Sequence, residues 1–374
     1  MTGPAVSADA RLAHAGSRRQ PGEPVVQPVV LASILTSLGQ PGRADYGRGG
    51  NQTWAALEDA LGAVEQADAV VFASGQAASM ALMLALARDR DRILLPRDGY
   101  YNARALAEQL RPHGAETVLV DQDDLPAIER ELSGGRAVLW AESPTNPLLR
   151  VADLAALAGL AATADAPMVV DNTVATGLLQ QPLELGALAS LCSLTKSASG
   201  HSDVLAGVVL TRDPDLADAL RGWRTLGGGV LGPMEAWLAL RGLKTLPLRI
   251  ERQSATALAV AEHLIAHPRV TAVHYPGVRA ETRALARAQM PRGFGPLLSF
   301  EVDGTAADAD AVVAAATLIG AASSFGGVES TWERRSRWPG ESAPPALIRL
   351  SVGIEPAADL VSDIDRALAA GLAS

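Results

Sequence analysis

Apolar runs of strand length alternate with helix-length stretches through most of the chain. The runs cover 69–73, 92–96, 117–120, 137–141, 167–171 and 189–194. Between them, 103–112, 124–133, 152–164 and 213–224 read as helices. Leu57, Leu61 and Val64 stand at i, i+4 and i+7, which predicts a helix over 53–64. Strands alternating with helices imply an α/β fold with a mostly parallel sheet and right-handed crossovers. After residue 249 the texture changes. A long helix over 251–266 precedes strands at 271–275, 297–302 and 348–353, with helices at 280–289, 306–317 and 357–370. That pattern predicts a smaller α+β lobe. The first 60 residues carry little periodicity, and 16–27 and 40–52 are rich in Gly, Pro and charge. They read as an extended arm lying elsewhere on the protein or on a second subunit. The expected division is an arm over 1–60, a large domain over 61–248 and a small domain over 249–374.

In parallel sheets of this kind, ligands sit beyond the C-terminal ends of the strands. Gly75, Asp98 and Tyr100, Asn146, Asp171 and Lys196 each follow a predicted strand, so they should converge on one crevice. Ser74-Gly75-Gln76 turns a strand into a helix, which aims free backbone N–H groups at an anion. An ordinary strand-to-helix turn reads the same way. Asp171 ends an apolar strand and needs a partner there. A protonated pyridine nitrogen would serve, as would the turn at Asn172 and Thr173. Arg349 lies inside the apolar run 348–352 and also needs an anion, either a substrate carboxylate or a structural ion pair. Tyr46 and Arg48 sit two apart on an extended segment and point the same way; they fit either a phosphate or a solvated loop. Gly227 to Gly232 matches G-x-G-x-x-G but follows a helix, so it reads as a loop. The segment 329–343 carries arginines and glutamates close to Trp332 and Trp338 and reads as a solvated lid or an interface.

Composition sharpens one residue. Of 32 Lys plus Arg, only Lys196 and Lys244 are lysines. A chain that uses arginine almost everywhere has little need of lysine for surface charge. Lysine can lose its proton and attack a carbonyl, which a guanidinium cannot. Ser193 and Thr195 flank Lys196 with hydroxyls suited to a phosphate. The net charge of −9 argues against a nucleic-acid surface. The single cysteine, Cys192, excludes an internal disulfide and fits a reducing compartment. No charged start followed by an apolar block marks a secretory signal, so the cytoplasm is expected.

Taken in order, DYGRGGNQT (45–53), ASGQAA (73–78), ESPTNPLL (142–149), VVDNTVATGLLQQPLELGA (169–187), SLTKSASGHSDVLAG (193–207), RGLKTLPLR (241–249), SFGGVES (324–330) and IRLSVGIE (348–355) resemble the Cys/Met-metabolism family of pyridoxal-phosphate enzymes. The resemblance runs from about Ala13 to the C-terminus. It implies the type I pyridoxal-phosphate fold, with a seven-stranded, mostly parallel sheet, and a homotetramer. It implies pyridoxal 5′-phosphate held covalently by Lys196, which would then shuttle protons. Asp171 would pair with the ring nitrogen, Tyr100 would stack on the ring and Asn146 would meet its phenolic oxygen. Gly75, Gln76, Thr173, Ser193 and Thr195 would complete the cofactor site. Tyr46 and Arg48 would reach the phosphate from a neighbouring subunit, and Ser324 and Arg349 would take the substrate α-carboxylate. The activity it implies is γ-elimination on a sulfur amino acid, like that of cystathionine γ-lyase. γ-Replacement like that of cystathionine γ-synthase, cystathionine β-lyase activity and a specialised-pathway reaction are the alternatives. Tyr100-Tyr101-Asn102 leaves either tyrosine able to stack, and Ser323 stands where cystathionine-specific members often carry Glu.

Overall fold

A computed structural model describes residues 6–17, 21–36 and 44–372. Its larger sheet has seven strands: β1 (Asp68–Phe72), β2 (Arg92–Pro96), β3 (Glu116–Val120), β4 (Ala137–Glu142), β5 (Met168–Asp171), β6 (Ala189–Ser193) and β7 (Gly207–Thr211). Their order is β1-β7-β6-β5-β4-β2-β3. The five strands from β6 to β3 run parallel, and β7 lies antiparallel to both β6 and β1. Six of the seven strands coincide with the predicted runs to within a residue or two. β7 was not predicted. It is as fully buried as its neighbours, but Gly207 opens it soon after a Gly- and Ser-rich loop, which hides where the strand begins.

Helices cover both faces of this sheet. Gln52–Glu65 packs on β1, capped by the Asn51 side chain, which accepts from Thr53 N. Gly75–Ala87 is capped by Ser74 Oγ, which accepts from Ala77 N at 3.0 Å. Its Ala78, Ala81, Leu82 and Met83 bury against β1, β6 and β7. The G-x-G-x-x-G match behaves as a loop: the helix Pro214–Gly227 ends at Gly228 in the left-handed conformation.

The smaller sheet contains β8 (Val270–His274), β9 (Leu297–Val302), β10 (Gly320–Ala321), β11 (Thr331–Arg334) and β12 (Leu347–Ser351), in the order β10-β11-β12-β9-β8. β11 corrects the reading of 329–343 as a solvated segment. Trp332, Glu333 and Arg335 are buried. The charges there are satisfied by one another, which local sequence could not show. Glu333 pairs across the ladder with Arg349. The 21-residue helix Leu246–Ala266 runs from the large sheet's side to β8 and β9. Among the described residues no helix is long and apolar enough to cross a membrane.

Candidate active site

The strand ends converge with one exception: Asp98 does not line the cleft, and instead accepts from Thr145 Oγ1 at 3.1 Å and faces Arg150. One cleft of ≈310 Å³ is lined by Gly75, Gln76, Tyr100, Tyr101, Asn146, Asp171, Thr173, Ser193, Thr195, Lys196, Ser324 and Arg349 together with other residues. Tyr46 and Arg48 do not reach it. The Arg48 guanidinium instead lies 5.4 Å from the Tyr46 ring centre, on an exposed part of the arm.

Lys196 sits in the turn after β6, where its amide donates to Ser193 O. Arg249 braces this turn from beneath. Its guanidinium donates to Ser197 O at 2.7 Å, Ala198 O at 3.1 Å and Gly242 O at 2.8 Å. The RGLKTLPLR motif therefore serves the lysine loop, a role sequence reasoning did not assign. Lys196 Nζ donates to Ser324 Oγ at 2.7 Å. Burial, then the charges of Arg349 and Arg335, pull the amine down to about 8. A lysine so placed supplies neutral amine near physiological pH. Lys244, the other lysine, caps the helix Pro233–Leu243 and is not part of the cleft lining.

Asp171 ends β5, buried. Its Oδ1 accepts from Thr173 N at 3.0 Å and Thr173 Oγ1 at 2.6 Å. Asp171 therefore caps the turn, and it also lines the cleft. Burial raises its pKa, opposed by Thr173 and Lys196. With Oδ1 occupied, Oδ2 is the oxygen left to meet a ring nitrogen. Thr173 Oγ1 also accepts from Ser193 N at 2.9 Å, tying β5 to β6.

Glu142 was missed, although it ends β4 as Asp171 ends β5, directly opposite in register. Its Oε2 accepts from Tyr100 N at 2.7 Å and its Oε1 from Asn146 N at 2.8 Å. Burial and the Asp171 charge push its pKa up. Both oxygens accept backbone N–H groups, however, so the ionised form is the one this geometry needs. Glu142 thus fixes the two residues expected on the ring's face and edge. An amide at 142 would turn one donor against an N–H. Glu142→Gln should lower affinity for pyridoxal phosphate by about tenfold or more. Equilibrium dialysis checks this, and unchanged affinity would remove Glu142 from the site.

Tyr100 and Tyr101 meet edge to face with centroids 5.3 Å apart, and Tyr100 Oη accepts from Asn102 Nδ2. At the other end lies the start of the helix Gly75–Ala87. Ser74 takes one first-turn amide, and the others are the donors an anion uses. A Cβ on Gly75 would come within 2.9 Å of Ser193 Cβ, so glycine is what lets helix and β6 approach. Gln76 Nε2 donates to Asn102 O. Thr195 Oγ1 is held by Ala206.

Arg349 donates to Asn146 Oδ1 at 2.9 Å, Ser324 O at 2.8 Å and Glu333 Oε1 at 2.7 Å. Its expected structural ion pair therefore exists, and the side chain still faces the cleft. Burial pulls its pKa down to about 9. Ser324 is held at φ +77°, an unusual backbone for serine.

A buried carboxylate, a lowered-pKa amine and a helix N-terminus around one cleft fit a cofactor with a basic ring nitrogen, an aldehyde and a phosphate. The fold and the cleft define a pyridoxal-phosphate enzyme of the type I fold, acting on a small amino-acid substrate. The family model for Cys/Met metabolism PLP-dependent enzymes matches residues 9–369, and the chain belongs to that family. It is 39% identical over 381 residues to cystathionine gamma-synthase of Mycobacterium tuberculosis, covering 98% of this chain and 97% of that one. It is 38% identical over 343 residues to cystathionine gamma-lyase of Bacillus subtilis, covering 88% and 90%. The structure of cystathionine gamma synthase from Xanthomonas oryzae pv. oryzae in complex with cystathionine matches with a TM-score of 0.93 at 33% identity, over 99% and 100% of the two chains. The protein is a carbon–sulfur lyase or γ-replacement transferase that uses pyridoxal phosphate.

Proposed function

We propose that the protein catalyses γ-elimination on cystathionine, which with one water gives cysteine, 2-oxobutanoate and ammonia. The observation that carries the reading is the Lys196 amine, pulled down to about 8 and held 2.7 Å from Ser324 Oγ beside Arg349. Bound pyridoxal phosphate supplies the electron sink for carbanion chemistry. Arg349 and Ser324 would seat the α-carboxylate. Lys196 would take the Cα proton and return protons along the side chain as the sulfur leaves, work of the general acid–base kind worth about 10²–10⁴-fold. Asp171 would keep the ring nitrogen protonated through Oδ2. Tyr100 would hold the ring's face, Asn146 its phenolic oxygen, and Gly75, Gln76, Thr173, Ser193 and Thr195 the remaining contacts.

Tyr46 and Arg48 lie outside the cleft of their own chain. We propose that they serve the site of a neighbouring subunit in a cytoplasmic homotetramer. The arm, large domain and small domain would then divide near residues 60 and 248.

The γ-synthase likenesses favour γ-replacement as a second reading. The test supplies holoenzyme with cystathionine alone, and separately with cysteine plus an acyl-activated homoserine. The expected result is 2-oxobutanoate from cystathionine at the faster rate. Cystathionine formed in the second mixture, with no 2-oxobutanoate in the first, would replace elimination by replacement.

A further inference from the structure

Four buried charges stand in a row at one wall of the cleft: Arg349, Glu333, Arg335 and Glu341. Glu333 Oε1 accepts from Arg349 Nη2 at 2.7 Å, Arg335 Nη1 at 2.8 Å and Ser323 Oγ at 3.1 Å. Its Oε2 accepts from Arg337 Nη2 and Trp338 Nε1, each at 2.8 Å. Glu341 takes Arg335 Nη2 at 2.6 Å. The row is not symmetric towards the cleft. Arg335, Arg349, Ser323 and Trp338 line it, whereas neither Glu333 nor Glu341 does. The cations form the wall and the carboxylates stand behind them. Both Arg335 and Arg349 keep a buried Nε without a partner. The acidic lining residues, Glu142 and Asp171, belong to the cofactor's side.

Arg349 and Ser324 already account for one carboxylate. Arg335 stands apart from the lysine turn, in the segment after β11, with its Cζ 5.9 Å from the Tyr101 ring centre. Its field reaches the cleft, since it depresses the Lys196 pKa after burial and Arg349. Its surplus donors are fixed in place by two carboxylates, so little ordering is lost on meeting an anion.

We propose that Arg335 is a specificity-determining residue that recognises an anionic group at the far end of the substrate's side chain. The class selected is α-amino acids whose side arm ends in a carboxylate or another anion. This rests on the site and cofactor reading above and deepens it: cystathionine ends in such a carboxylate, and so do dicarboxylate esters of homoserine.

The test uses holoenzyme and amino acids without a leaving group, so that binding is read independently of lyase or synthase chemistry. Norleucine, lysine and 2-aminoadipate share a carbon chain and differ only at its end. Glycine reports the α-carboxylate subsite alone. Dissociation constants come from the change in the bound cofactor's absorption. 2-Aminoadipate should bind at least about tenfold more tightly than norleucine, and lysine more weakly than either. Arg335→Gln should bring 2-aminoadipate to within about twofold of norleucine while shifting glycine, whose Arg349 subsite shares Glu333, much less than it shifts 2-aminoadipate. Arg335→Lys should restore part of the preference. Should loss of Arg335 unfold the network, the double variant Arg335→Gln, Glu341→Gln keeps its charge balanced and gives the same readout. No preference in the wild type, a preference that survives Arg335→Gln, or an equal loss for glycine would overturn the proposal. An absence of any spectral response to glycine would overturn the site reading as well, and is distinguishable by that.

Discussion

Lys196→Ala should yield a folded protein that lacks the absorption band of the lysine-bound cofactor, showing at most that of the free aldehyde, and turns over at least about a thousandfold more slowly. Two functions vanish together. The amine proposed to anchor the cofactor is gone, and with it the proposed base, which donates to Ser324 Oγ. The other lysine cannot replace it, since Lys244 lies at the end of the helix Pro233–Leu243, away from the cleft lining. The turn itself should survive, because it is built from main-chain bonds and braced by Arg249. Absorption spectra and single-turnover assays on the same preparation check both effects. Persistence of the lysine-bound cofactor's band in Lys196→Ala would sink the assignment.

Glu65→Gln should make the protein more resistant to unfolding at alkaline pH. Glu65 ends the helix Gln52–Glu65 in a small apolar hollow beside Leu61, Cys192 and Val208. Its Oε2 is buried without a hydrogen-bond partner. Burial pushes its pKa up to about 8, against 4.5 for an ordinary glutamate, with Arg212 only partly opposing. The folded protein therefore holds a proton that the unfolded chain releases above about pH 4.5. The stabilisation is complete below that value and is lost as pH rises towards 8, at about 1.4 kcal/mol per pH unit. Glutamine is neutral throughout. The stability difference between variant and wild type should thus widen by about that slope between pH 6 and 8. Unfolding midpoints at matched concentration across this range check it, and parallel curves would refute it.

The alternation of strands and helices was legible because each buried strand is an uninterrupted apolar run. The cleft was legible because parallel strands deliver their C-terminal residues to one edge, so Tyr100, Asn146, Asp171 and Lys196 needed no distance information. What escaped depends on partners far away in sequence. Glu142 looks like any acid at a strand end until its oxygens are seen on Tyr100 and Asn146. Arg249 looks like a surface arginine until it is seen under residues 197 and 198. β11 failed for the same reason: Glu333 is acceptable inside a sheet because Arg349, on another strand, meets it there.

The pairing of β1 with β7 joins Asp68 to Thr211 and Phe72 to Gly207, across more than a third of the polypeptide. The helix that starts at Gly75 takes its position from that edge, and Ser193 packs directly against its first residue. During synthesis, then, the proposed phosphate pocket stays unassembled until the ribosome has delivered the seventh strand. Loading with vitamin B6 is accordingly a late step in the protein's biogenesis, taken after most of the large sheet has been made.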